Sequence, residues 1–268
     1  MLISQEELLE RRRFLTSSLA ASAFALASKS RAQGPAGKPR EYYQLRKYQL
    51  EAGPQTKLTA QYLSDALIPA LNRLGMTPVG AFELTYGPET PAIYLLIPSS
   101  ALETLATAEL RLAQDQEFLK AAAPFWNAPA KQPAFVRIES SLFIAFEGWP
   151  KITPPAREKR IFQMRTYQSP SYQDHIRKIE MFHSGEFEIF KRSGCESVFY
   201  GDVLIGRELP CLTYMLTFPD LAALDRGWTA FRSDPAWIKL SASPRFAFEP
   251  TVSNISNLLL SPTSFSQI

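Results

Sequence analysis

The chain has 268 residues, with 29 Lys and Arg against 26 Asp and Glu, for a formal net charge of +3. That length suits two domains of about 100 residues, each able to bury a core. A charge so near neutral, with no basic stripe, gives no electrostatic case for nucleic acid, and two histidines with two cysteines and no His-x-x-x-His leave a zinc site unsupported.

The N-terminus reads as an address. Arg11-Arg12-Arg13-Phe14-Leu15 opens a moderately apolar stretch to Ala27, and Ser30-Arg31-Ala32 offers a small-x-Ala cleavage site. This is the layout of a twin-arginine secretory signal over 1–32, which predicts a periplasmic or secreted protein. The stretch is shorter than the roughly 20 residues of a membrane-spanning helix, so no membrane association is expected after signal removal. Removing 1–32 takes away five basic and three acidic side chains, leaving 24 and 23 in the mature chain.

Residues 33–40 read as a linker. Tyr42 to Leu50 alternates as a strand, and Gly53-Pro54 breaks it. Leu58, Tyr62, Ala66, Ile68, Leu71 and Leu74 give a helical stripe closed by Gly75. Strands are expected at Val79–Tyr86 and Ala92–Ile97. Ser100-Ala101-Leu102-Glu103 reads as a capping box opening a helix toward Lys120, and Phe135–Phe146 as the last strand of a first domain, 41–148. A proline-bearing linker spans 149–158.

The order then recurs in a second domain, 159–262. It has a strand Ile161–Gln168 and a helix from Tyr172 to Ser193 stopped by Gly194. A hairpin of Ser197–Ile205 with Leu212–Thr217 follows, then a helix Asp220–Ser241 and a strand Val252–Leu260. Residues 263–268 read as a tail. The recurrence is literal: Gln44-Leu45-Arg46-Lys47-Tyr48-Gln49 returns as Gln163-Met164-Arg165-Thr166-Tyr167-Gln168, an offset of 163 − 44 = 119 positions. The same offset carries Arg73 to Arg192, Gly75 to Gly194 and Asp115 to Asp234. Each half is β-α-β-β-α-β, the ferredoxin-like split unit of an α+β fold. One face of such a sheet is covered by helices. The other needs a partner, which the second copy supplies as an intrachain pseudo-dimer. Whether that unit forms a homodimer stays open.

The two cysteines are read as unpaired. Across the hairpin Cys211 faces about position 203, roughly 26 Å from Cys195 at about 3.3 Å per residue, beyond any disulfide.

The Arg-x-Tyr strands (Arg46 and Tyr48; Arg165 and Tyr167), the Ile68-Pro69 and Gly75-x-x-Pro78-Val79-Gly80-x-Phe82 segment, and Asp234-Pro235-x-Trp237 make the chain resemble the NIPSNAP family of the dimeric α/β-barrel superfamily. The resemblance covers nearly all of the mature chain, once per half. It departs at Asp115-Gln116-Glu117-Phe118 and at Ser197-Val198-Phe199-Tyr200-Gly201. It implies two tandem domains packing sheet to sheet as one intrachain barrel. It names no reaction.

Strand parity then proposes a site. With Phe162 and Met164 placed under the helices, Arg165 and Tyr167 point to the bare face, and by the repeat so do Arg46 and Tyr48. Glu83 and Asp202 fall on that face too. Arg46, Tyr48, Glu83, Arg165, Tyr167 and Asp202 are therefore expected to line a polar cavity between the halves for a small carboxylate-bearing or phenolic ligand, or else to stitch the sheets together as ion pairs. No catalytic residue and no cofactor is assigned. A cofactor-free monooxygenase or isomerase-like activity is the alternative to ligand or partner binding, and haem binding the third reading. His175 and His183, eight apart on one helix, are too far apart for one metal and read as helix-face residues. Trp126, Trp228 and Trp237 read as packing onto the sheets.

Overall fold

The computed structural model describes residues 39–156, 158–246 and 251–268. The twin-arginine segment and most of the first linker lie outside these. In chain order the first half gives β1 (Tyr42–Gln49), α1 (Pro54–Tyr62), α2 (Ile68–Arg73), β2 (Gly80–Leu84), β3 (Ala92–Ser99), α3 (Leu102–Ala106), α4 (Ala108–Leu112), α5 (Gln116–Trp126) and β4 (Arg137–Ala145). The second half gives β5 (Ile161–Gln168), α6 (Tyr172–Met181), α7 (Phe187–Arg192), β6 (Glu196–Ile205), β7 (Cys211–Phe218), α8 (Leu221–Ser233), α9 (Pro235–Ser241) and β8 (Asn254–Pro262).

The eight strands close into one antiparallel barrel in the order β1-β3-β2-β8-β5-β7-β6-β4. The two sheets therefore join edge to edge, through β2 with β8 and β4 with β6. Closure removes every exposed sheet edge. Residues 263–268 are no loose tail: Thr263 and Gln267 donate backbone hydrogen bonds to Ala81 and Val79, and Ile268 is buried.

Three cores result. Tyr43, Phe82, Tyr94, Leu96, Phe143, Phe162, Met164, Phe199, Met215 and Leu260 come from all eight strands and fill the barrel interior. Tyr48, Ile93, Leu95 and Ile97 pack against the helices of the first half, and Tyr167, Tyr200, Leu212, Tyr214 and Leu216 against those of the second.

The long helices expected from the stripes are segmented. In each half the first helix is interrupted by a single π-turn, at Leu63–Leu67 and at Phe182–Glu186, two places related by the 119-residue offset. The second ends in glycines of positive φ, Gly75 at 79° and Gly194 at 75°, where a Cβ would be strained. The helix after β3 begins at Leu102 with no side-chain cap, so Ser100 and Glu103 do not form the expected capping box. Asp115 caps α5 and is held by Arg73 at 2.6 Å. Asp234 caps α9 through Ala236 and Trp237 and is held by Arg192 at 2.5 Å. Its cap ends α8 and starts α9, breaking the single helix expected over Asp220–Ser241.

Candidate functional site

The repeated strand motif places one pocket in each half, between the outer face of the barrel and the helices. In the first half a cavity of about 400 Å³ is lined by Arg46, Tyr48, Tyr62, Glu109, Phe125 and Trp126, among others. Arg46 is 5% exposed. Its Nη2 donates to Gln44 Oε1 at 2.7 Å and pairs with the Glu109 carboxylate. Burial works against its charge, but Tyr48 and Glu109 outweigh it and hold the guanidinium above its ordinary value. Tyr62 and Phe125 stack with ring centroids 3.9 Å apart, and Trp126 Nε1 donates to the Tyr62 hydroxyl. Every polar group at the base of this pocket has a protein partner.

The second half is built differently on the same frame. Its cavity, about 350 Å³, is lined by Arg165, Tyr167, Glu186, Leu224, Asp225, Trp228, Phe231, Arg232 and Trp237. The position equivalent to Glu109 is Trp228. Its indole lies 4.2 Å from the Arg165 guanidinium, a cation–π contact worth about 0.5–2 kcal/mol, and its Nε1 donates to Gln163 Oε1 at 2.7 Å. Arg165 keeps a hydrogen bond to Tyr167, whose hydroxyl pairs with that of Tyr214 at 2.8 Å. The Arg165 Nε is buried with no hydrogen-bond partner.

Below the aromatic box sits a buried ion pair. Lys178 Nζ donates to Glu186 Oε2 at 2.9 Å, with both side chains almost fully buried. The ammonium also lies 4.7 Å from the Phe182 ring and 5.6 Å from that of Trp237. Glu186 closes the π-turn, whose Gly185 has φ 137°, and local widenings of this kind recur at functional sites. Burial raises the Glu186 carboxyl above its usual value, against the pull of Lys178 and Arg165.

The site expected from parity is thus inverted. Arg46, Tyr48, Arg165 and Tyr167 face the helices, and Phe162 and Met164 face the barrel interior. The expected cavity between the halves is filled by apolar side chains, so the four residues form two separate pockets. Glu83 is exposed and makes no ion pair with Arg46. Asp202 is turned to His175, whose Nε2 donates to Oδ1 at 2.7 Å. The expected Arg46–Glu83 and Arg165–Asp202 pairs do not form, and neither stitches the sheets. The physical cause is closure: in a barrel both strand faces are buried, β3 and β7 at every position, so apolar character does not tell inside from outside.

Sequence reasoning missed Lys178, Glu186 and Glu109, and gave Trp228 and Trp237 a packing role alone. Comparing the halves position by position would have found them, since Lys178, Glu186 and Trp228 stand where the first half has Thr59, Leu67 and Glu109. His183 accepts from the Gly148 N–H at 3.0 Å and bonds the Ile179 carbonyl through Nδ1 at 2.8 Å. Both of its nitrogens are spent, while His175 gives Nε2 to Asp202 and keeps a buried Nδ1 without a hydrogen-bond partner. Cys195 and Cys211 are buried free thiols, pushed up to about 12 and about 11 by burial. Among the described residues no His, Cys, Asp and Glu cluster suits a metal, and no helix is long and apolar enough to cross a membrane.

An antiparallel eight-stranded α/β barrel, with helices outside and a pocket at the repeated arginine of each half, is the class this geometry defines. Residues 162–267 match the model of the NIPSNAP family. The fold is shared with a provisionally assigned monooxygenase from Fusobacterium nucleatum (TM-score 0.56, 10% identity, covering 84% of this chain and 93% of that one). It is also shared with another from Lactobacillus acidophilus (0.57, 8%, 83% and 94%) and with an anthrone oxidase-like protein (0.50, 13%, 84% and 92%). No curated protein matches the sequence.

Proposed function

We propose that this is an exported protein that binds a small molecule in the second-half pocket, and that its halves are tandem ferredoxin-like units fused into what other proteins build as a dimeric α/β barrel. The strand order supports the architecture, since each half contributes its strands as fourth-first-third-second and equivalent Arg–Asp pairs brace both. The observation that carries the function is the pocket floor: an arginine with a buried, unpartnered Nε, walled by two tryptophans, above a buried Lys–Glu pair. Charged groups are costly in such a place without a role or a ligand. Native mass spectrometry of the purified chain tests this. Added mass that Trp237→Ala removes is the expected result, whereas a bare protein whose indole emission no small molecule alters would sink the reading. Export is tested by replacing Arg11, Arg12 and Arg13 with Lys, which should hold the protein in the cytoplasm with residues 1–32 attached.

A second reading, a cofactor-free monooxygenase or isomerase-like enzyme, draws on Glu186. A pocket carboxylate raised above its usual value and beside an arginine is suited to take a proton from a bound phenol or carbon acid. Loss of turnover in Glu186→Gln with ligand capture retained would favour it.

A further inference from the structure

We propose that the second-half pocket selects a carboxylic acid with an aromatic or apolar body, the acid on Arg165 and the body against Trp228 and Trp237. This rests on the ligand-binding reading above and adds the chemical class.

The first half supplies the template. There the repeated arginine is already occupied: Arg46 holds the Gln44 amide oxygen and the Glu109 carboxylate. The second half has the same Gln-x-Arg-x-Tyr strand, yet one difference strips Arg165 of both acceptors. Trp228 replaces the carboxylate of position 109, and its indole N–H claims the Gln163 oxygen at 2.7 Å. Among the described residues no carboxylate lies within ion-pair distance of Arg165. Glu186, the nearest candidate, is committed to Lys178.

What remains is a guanidinium whose carbon lies 4.2 Å from the centroid of an indole and which hydrogen-bonds Tyr167. The indole supplies no oxygen acceptor and the Nε is buried without a hydrogen-bond partner, so donors of the kind that grip carboxylates in a two-pronged way are left over. A free acid supplies what Glu109 supplies to Arg46. The walls choose the body: Leu224, Trp228, Phe231 and Trp237 are apolar or aromatic, while Asp225 and Arg232 stand exposed at the rim. A cavity of about 350 Å³ is at the small end of ligand sites, which fits a single-ring acid.

The test titrates the full-length chain with matched acids and amides: 3-phenylpropionate, indole-3-acetate and benzoate against the corresponding primary amides, followed by calorimetry. At least one acid should bind tenfold or more tightly than its amide, and Arg165→Gln should erase that preference. Trp228→Glu should abolish acid binding by installing the first-half arrangement. Should that variant not unfold cooperatively, Arg165→Gln with its thermal unfolding recorded decides alone. Equal binding of acids and amides, or a preference that survives Arg165→Gln, overturns the proposal. Tight binding of amides but not acids refutes the acid class and leaves the ligand-binding reading standing. Silence from all acids and amides refutes both.

Discussion

Lys178→Met isolates the buried ion pair. The methionine keeps most of the aliphatic stem and removes the ammonium, leaving Glu186 buried opposite an apolar group. The carboxyl then stays neutral in the folded state and ionises only on unfolding, where its ordinary value is 4.5. Keeping it protonated at pH 7 costs about 3.4 kcal/mol, at about 1.4 kcal/mol per pH unit, and at pH 5 only about 0.7 kcal/mol. The sign follows from proton counting. The folded variant binds the extra proton, so its stability falls as pH rises above 4.5. Urea titrations of parent and variant should show a gap that widens from pH 5 to pH 7 by at most about 3 kcal/mol, because the raised Glu186 carboxyl of the parent carries part of the same loss, and the melting temperature should fall with it. Restoring an apolar pair with Lys178→Met and Glu186→Leu together should recover most of the loss, since well-packed apolar substitutes for buried ion pairs are often neutral. A gap that stays constant or narrows from pH 5 to 7 would refute the reasoning.

Three further outcomes are expected. The Asp234 carboxyl, held down to about 2 by Arg192 and then by the Ala236 and Trp237 amides, should titrate by NMR well below its unfolded value of 3.8. Its contribution to stability is full above 3.8 and lost as pH falls through about 2, and Arg192→Gln should move the midpoint up. Asp234→Ala should lower the midpoint of urea unfolding through loss of the cap. Glu109→Gln should destabilise by about 1–2 kcal/mol, between the values for a surface and a buried pair, and should give the first-half pocket a measurable affinity for the same acids.

The order of elements was legible, because it rests on local rules, whereas the pairing of Arg73 with Asp115 and of Arg192 with Asp234 was not expected although the offset had singled out all four positions. Gly75 and Gly194 end their helices through a positive φ, and Arg73 and Arg192 find their aspartates at the same spacing. Facing was not legible. Parity gives two alternating sets and needs one known burial to orient them. Phe162 and Met164 looked like helix-facing residues because an open sheet has only one apolar side. In the closed barrel they turn inward to meet Phe82 and Leu260, and the arginines turn out to the helices. The pairing of Glu83 and Asp202 with the arginines failed with the orientation on which it was built.

The same comparison shows how the two pockets came to differ. Three aligned positions change the electrostatics: Thr59 to Lys178, Leu67 to Glu186, and Glu109 to Trp228. In the first half, Thr59 and Leu67 are buried without charge, and the one carboxylate sits at the rim with its side chain half-exposed. In the second half charge moves inward, as a mutually compensated Lys–Glu pair, and the rim position becomes aromatic. The carboxylate that answers the repeated arginine is thereby displaced from its edge. Glu186 is too deeply engaged with Lys178 to replace it. Arg165 keeps its place against the Trp228 indole and its bond to Tyr167, with an Nε that has no partner, the arrangement expected if the missing acid arrives from outside the chain.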